Sequence, residues 1–180
     1  MNRGRIWKPN IPTSGSFDEQ NPQEAFLSPQ ESETLPSRIL VALEGSEPSL
    51  RESSIKAAKY ALKLASAAHS ELVGACVVQI PEYIEEKTRK ILRDELIGKS
   101  AATLDEVKGL ARKSNVKFES KVLETSGAIA TAICNMSEKE GVDLIVLGTR
   151  ANTSSLTKMM LGSVALGVTN NASCPVLVVR

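Results

Sequence analysis

From residue 38 to the end of the chain, apolar positions follow two alternating rhythms. The first is a short unbroken run: Ile39-Leu40-Val41-Ala42-Leu43, Leu144-Ile145-Val146-Leu147, and Val176-Leu177-Val178-Val179. Runs without a polar interruption are expected of parallel strands covered on both faces. The second rhythm is helical. Between Ser49 and Ala68, the residues Ala57, Ala58, Ala61, Leu62, Ala65 and Ala68 form a small-residue face, opposite a solvated face of Glu52, Lys56, Lys59 and Lys63. Ile129, Ala132, Ile133 and Met136 repeat at i, i+3, i+4 and i+7 within 127–139, and Gly141 closes that helix.

The remaining segments complete the series. Strands are predicted at 38–43, 71–78, 116–123, 142–147 and 175–179, and helices at 49–68, 82–113, 127–139 and 164–171. The second helix is charge-rich, with Ile84, Leu92, Leu96, Leu104 and Val107 as its apolar side, and Gly98 and Gly109 are candidate interruptions. Five strands alternating with four helices, joined by right-handed crossovers, make a single doubly wound α/β domain with one parallel sheet and helices on both faces, Rossmann-like in layout. Ligands of such sheets bind outside the carboxyl ends of the strands, where strand order reverses. The turn Glu44–Ser46, the strand end Val77-Val78 and the loop after Gly148 converge there.

That last loop carries the candidate chemistry. Gly148 ends a strand, and a residue without a Cβ lets a ligand approach the main chain. Gly162-Ser163 opens the last helix, whose free N–H groups and hydroxyl attract anions, phosphate above all. Chain reversal alone also accounts for Gly and Ser at a strand-to-helix turn, so both readings stand on spacing.

Composition narrows the classes. Residues 1–37 hold five of the eight prolines among Ser, Gln, Glu and Asn, and are expected to form a flexible tail preceding the 38–180 domain. Ile6-Trp7 and Ala25-Phe26-Leu27 are its apolar spots, available to a protein partner or to the body. A net charge of +1 gives no reason to expect nucleic acid or an anionic membrane surface. No apolar run approaches the roughly 20 residues of a membrane span, and no apolar stretch follows the basic N-terminal residues as in a secretory signal. Cys76, Cys134 and Cys174 are widely spaced with no CxxC pair, which suggests reduced thiols in a cytoplasmic protein. Core packing is expected of Cys76, and an intersubunit disulfide is conceivable for Cys174. The single histidine, His69, follows a helix with no acidic or nucleophilic neighbour and is read as a turn residue.

Four segments, taken together and in order, resemble the universal stress proteins: Ile39–Glu47, Gly141–Arg150, Leu161–Val164 and Cys174–Val179. The resemblance spans Arg38 to Arg180. It implies a flavodoxin-like domain that forms a homodimer, often through the last strand, here Pro175–Val179. One branch of the family binds ATP and another does not. In the ATP-binding branch the signature is Gly, two residues, Gly, nine residues, then Gly-Ser or Gly-Thr. By this resemblance Gly148, Gly162, Ser163 and Val164 match the phosphate and ribose positions, and Thr149, Arg150 and Ala151 belong to the same nucleotide-binding site. Val77 reads adenine, Ala42 and Leu43 lie at the pocket wall, and Glu44 stands by the ribose and a Mg²⁺ ion. The chain departs from the pattern in three ways. Ala151 replaces the second glycine, ten residues rather than nine precede Gly162, and Glu44 replaces an aspartate. An alanine where φ must be positive is unfavourable by about 1 kcal/mol or more. Thr153, Ser154, Ser155, Thr157 and Lys158 supply alternative phosphate partners.

Three functions follow. The first is a cytoplasmic stress-response protein whose regulatory ligand is an adenine nucleotide, ATP with Mg²⁺. The second is a nucleotide-free dimeric interaction module with a degenerate ATP motif. The third is a slow nucleotide hydrolase, for which the chain lacks a P-loop lysine motif, a histidine base near the pocket, or a Ser-His-Asp set. Met159, Met160 and Leu161 are expected to pack at the start of the last helix.

Overall fold

The computed structural model describes residues 35–44, 48–149 and 161–180. Along the chain come β1 (Arg38–Leu43), α1 (Pro48–Ala68), β2 (Glu71–Gln79), α2 (Glu86–Lys113), β3 (Phe118–Thr125), α3 (Ile129–Lys139), β4 (Leu144–Gly148), α4 (Ser163–Asn171) and β5 (Val176–Val179). All strand pairs are parallel, in the order β3-β2-β1-β4-β5. Order therefore reverses between β1 and β4, as in doubly wound sheets.

The apolar runs bury both faces of the central strands. Ile39, Val41, Leu72, Cys76 and Val146 pack beneath the alanine face of α1 and Leu104, Val107 and Ala111 of α2. On the other face Leu40, Ala75, Ile145 and Leu147 meet Ile133, Cys134 and Met136 of α3 and Ala165 and Val168 of α4. Small side chains let these helices approach closely. A Cβ on Gly167 would stand 2.7 Å from that of Ala130, which is where α4 crosses α3.

Three helices stop in the same way. His69, Asn115 and Gly141 take φ of 56°, 53° and 61° after α1, α2 and α3. The next N–H then reaches back: Ser70 donates to Ala65 O, Val116 to Ala111 O and Val142 to Ser137 O. This left-handed stop satisfies carbonyls that the helix end would leave orphaned. It fits the turn reading of His69, which stands at the amino end of β2, away from the strand ends where ligands bind.

Two boundaries differ from the sequence expectation. The 82–113 helix begins at Glu86 and runs unbroken through Gly98 and Gly109, because tertiary packing from Ser100 onward outweighs two weak glycine positions. The third strand lies at 118–125 rather than 116–123, because the left-handed stop at Asn115 consumes the residues after α2. A Cβ on Gly98 or Gly109 would have nothing within 4 Å. Gly98→Ala and Gly109→Ala should therefore each stabilise the fold by about 0.5–1 kcal/mol, read as a higher midpoint in urea.

A charge network closes the amino end of the sheet. Arg38 bonds Glu71 at 2.7 Å and Glu119 and Glu140 at 3.0 Å. Lys117 pairs with Glu71, and Lys121 with Glu140. Nearby, the Ser37 N–H and hydroxyl both donate to Asp143 Oδ2 at 2.7 Å, and the Ser70 hydroxyl donates to Pro36 O. The Lys117 bond holds the Glu71 carboxyl below its ordinary value, and the Lys121 bond does the same for Glu140. At the other end of β3, the bond from Arg93 lowers Glu124. A lowered carboxyl contributes stability above its unfolded value and loses it as pH falls through the folded value. Stability should hold level down to about pH 5 and fall below the ordinary glutamate value of 4.5. Thermal melts of Glu140→Gln against the parent should show a shallower acid limb.

Candidate functional site

At the carboxyl ends of β1, β2 and β4 lies a cavity of about 530 Å³. Its position follows from the reversal of strand order: β1 sends its chain to α1 on one face, while β4 leads on toward α4 on the other. Its lining divides into two chemistries.

One compartment is apolar. Ala42 on β1 and Ala75 on β2 are register partners, side by side beneath α3. Two adjacent alanines leave room that larger side chains would fill, and Val77, Ile133, Leu147 and Ala165 complete the walls. The other compartment is polar, with Glu44, Ser53, Ser54, Thr149 and Ser163. Ser54 is buried, and its hydroxyl accepts the Glu44 N–H at 2.8 Å, which pins the backbone at the end of β1. The Thr149 N–H donates to Val179 O at 3.0 Å, extending the β4–β5 ladder by one residue.

Gly162 is the N-cap of α4, with φ −60° and ψ 156° and no side-chain hydrogen bond to the cap. The first N–H groups of a helix have no intrahelical partner, so Ser163, Val164 and Ala165 present donors and the positive end of a dipole at the cavity wall. A Cβ on Gly162 would meet nothing within 4 Å. Gly148 is different. A Cβ there would stand 2.5 Å from the Ser53 carbonyl oxygen and 2.7 Å from its carbon. Gly148 is thus needed by the packing of α1 on β4, a reason the sequence reading, with its emphasis on ligand approach, did not supply.

Of the candidate residues, Ala42, Leu43, Glu44, Val77, Gly148, Thr149, Gly162, Ser163 and Val164 all line this cavity. Arg150 and Ala151 lie outside the described residues, as do Gly45, Ser46, residues 152–158, Met159 and Met160. Leu161 lines the cavity too. The sequence reading missed Ala75, Ser53, Ser54, Ile129 and Ile133, which also line it. Helical periodicity marks Ile133 as core and Ala75 sits inside a strand, so neither has a local signal of a cavity.

No group of three His, Cys, Asp or Glu side chains able to hold a metal gathers among the described residues. Cys76 is buried on the face of the sheet that α1 and α2 cover, and burial pushes its thiol up to about 12. Burial likewise raises Cys134 and Cys174, so none of the three is a ready thiolate nucleophile.

Residues 36–180 match the model of the universal stress protein family. The chain belongs to that family. Among curated relatives, a universal stress protein of Methanocaldococcus jannaschii is 34% identical over 151 residues, covering 82% of this chain and 84% of its own. A solved universal stress protein family structure from Burkholderia pseudomallei is 29% identical with TM-score 0.59, covering 79% of this chain and 95% of that one. Three more distant universal stress protein structures share the fold: one in complex with cAMP, one from Archaeoglobus fulgidus with dAMP, and one from Arabidopsis thaliana with AMP bound. Their identities are 22%, 17% and 18%, and their TM-scores 0.62, 0.60 and 0.57. They cover 81%, 81% and 80% of this chain, and 98%, 99% and 91% of their own. Among the described residues, no helix of this universal stress protein is long and apolar enough to cross a membrane.

Proposed function

We propose that this universal stress protein binds an adenine nucleotide in the cavity at the carboxyl ends of β1, β2 and β4, with ATP as a regulatory ligand. The observation that carries the reading is the division of that cavity. The Ala42–Ala75 compartment suits a flat apolar base, and the α4 N-terminus suits a phosphoryl group. Complexes of family members with cAMP, dAMP and AMP support the choice of adenine. Among the described residues, Glu44 is the carboxylate that lines the cavity. One carboxylate suits a Mg²⁺ ion, which keeps its waters and takes its other ligands from nucleotide phosphates. Binding then acts as a signal in a cytoplasmic stress response, read by a protein partner.

Heat extraction of the purified chain followed by chromatography of the released material tests this, together with calorimetric titration of ATP and Mg²⁺. Released adenine nucleotide or micromolar affinity supports the reading. Neither release nor heat would shift the protein to the nucleotide-free branch.

The functional unit is a homodimer paired along the 175–179 strand. Among the described residues β5 has β4 on one side and an unpaired edge on the other, and Leu177 and Leu166 are exposed at 36% and 49%. Such an apolar edge is prone to pair with another chain. Since Pro175 and Val179 turn their carbonyls to β4, the alternation of the strand turns the Val178 N–H outward. Val178→Pro removes that donor without removing a bond to β4. Light scattering should report a dimer for the parent and a monomer for the variant.

A further inference from the structure

We propose that the nucleotide site accepts an adenine nucleotide with a short alkyl substituent on its 6-amino nitrogen, the substituent lodging in a second, smaller cavity behind the base. The proposal rests on the nucleotide reading above and extends it to a class of ligand.

The smaller cavity holds about 160 Å³ at the tips of β1 and β2. Leu43, Glu44, Val77 and Ile129 line both it and the larger cavity, so one layer of side chains separates the two. Beyond that layer it is walled by Cys76, Val78 and Gln79 of β2 and by Leu96 and Ser100 of α2. It reaches toward the opposite face of the sheet. Ala42, Ala75 and Val77 turn toward α3, whereas Leu43 and Cys76 belong to the layer under α1 and α2. Ser100 is also the first buried residue of α2, so the small cavity lies where that helix leaves the packed layer.

Two bonds fix the walls of this space. Cys76 Sγ donates to Ser100 O at 3.8 Å, tying β2 to α2. Gln79 Nε2 donates to Gly127 O at 2.9 Å, tying the tip of β2 to the turn before α3. The volume is room for roughly five waters at about 30 Å³ each, or for a five-carbon chain. Leu43, Val78, Leu96 and Ile129 give such a chain apolar contact, and displacing loosely held water from them favours binding.

The direction of the ligand follows from the strand order β2-β1-β4. With the phosphoryl at the α4 N-terminus near the end of β4, and the base over Ala42 and Ala75, the nucleotide lies across the strand tips. Its base then points toward β2. The sugar leaves adenine from N9, so the edge remote from the sugar, which carries the 6-amino group, faces Val77 and the cavity behind it. An amino nitrogen bearing one alkyl group keeps one N–H to donate. A base pocket closed at that edge rejects the alkyl group by collision, and here there is space to receive it.

AMP and N6-isopentenyl-AMP are titrated calorimetrically into the full-length protein and into its Ser100→Leu and Leu96→Phe variants. Both substitutions add bulk to the small cavity, and neither residue lines the larger one. The parent should bind the substituted nucleotide roughly 3- to 30-fold tighter than AMP, from burial of its five carbons. Each variant should hold AMP at parental affinity and lose at least about 10-fold for the substituted nucleotide. Leu96 is half-buried, so Leu96→Phe keeps the test decisive if Ser100→Leu fails to fold. A substituted nucleotide bound no tighter than AMP by the parent overturns the proposal and leaves the nucleotide reading standing. An unchanged preference between the two ligands in Leu96→Phe overturns it as well, since the substituent would then lie elsewhere. If the parent binds neither ligand, the nucleotide reading itself falls and the ligand class with it.

Discussion

Gly148→Ala should destabilise the fold by about 3 kcal/mol or more, within the upper range of overpacking, and lower the denaturant midpoint before any ligand is added. The reason is geometric. The added Cβ would stand 2.5 Å from Ser53 O and 2.7 Å from Ser53 C, both backbone atoms of α1 with no rotamer to yield. Either α1 lifts from β4, opening the buried contacts of Ala57, Ala58 and Ala61, or the end of β4 bends and disturbs the Thr149 bond to Val179. Both outcomes deform the cavity, since Ser53 and Gly148 line it. Nucleotide affinity will fall in this variant for a structural reason, so the glycine that opens the loop motif is a poor probe of binding. Gly162→Ala is the informative partner. Its Cβ would enter open space, and an alanine N-cap costs only about 1 kcal/mol. Chemical melts and AMP titrations on both variants should separate them: Gly148→Ala loses stability and binding together, Gly162→Ala loses mainly binding. Equal stability of Gly148→Ala and the parent would show that α1 does not hold this close approach.

Ala75→Val should abolish measurable adenine-nucleotide binding, a loss of at least about 100-fold if the base compartment is the main apolar anchor, while keeping the fold within about 1 kcal/mol. Ala75 is 1% exposed, and it lines the cavity next to its register partner Ala42. Two methyl groups on β2 would occupy the volume offered to the base. A valine in a central parallel strand suits the backbone, and because Ala75 lines the cavity as well as meeting α3, its added methyls have cavity to enter. Ala42→Val should act in the same direction from the neighbouring strand. The two substitutions share one compartment, so their effects on affinity should not add. Retention of parental AMP affinity in Ala75→Val, with an unchanged melt, would place the base elsewhere and remove the main physical support for the proposed ligand.

These two predictions mark where sequence reading stops. The five strands, four helices and layer order were legible because unbroken apolar runs and a helical repeat of small residues each have one stable solution, burial against the other. Gly141 announced the end of α3, and the same left-handed stop occurs at His69 and Asn115, where the residue type alone announces it less clearly. Much of the candidate site was legible as well. Glu44, Val77, Gly148, Thr149, Gly162, Ser163 and Val164 follow strand ends or open a helix, and a doubly wound sheet brings those ends together.

What the chain by itself determined, then, was its layers, its family and the edge of the sheet at which a ligand would sit. Only the tertiary structure decided what each position there is for. Gly148 is held to glycine by the backbone of Ser53, which no local pattern relates to β4. Ala75 becomes a cavity wall because its register with Ala42 sets two small side chains under α3. Thr149 has its backbone fixed by β5, while the fold leaves its hydroxyl without a protein partner among the described residues. Periodicity reports which face of an element is buried. Register and the closeness of helix to sheet are set by contacts between distant segments, and those appear only when the chain is folded.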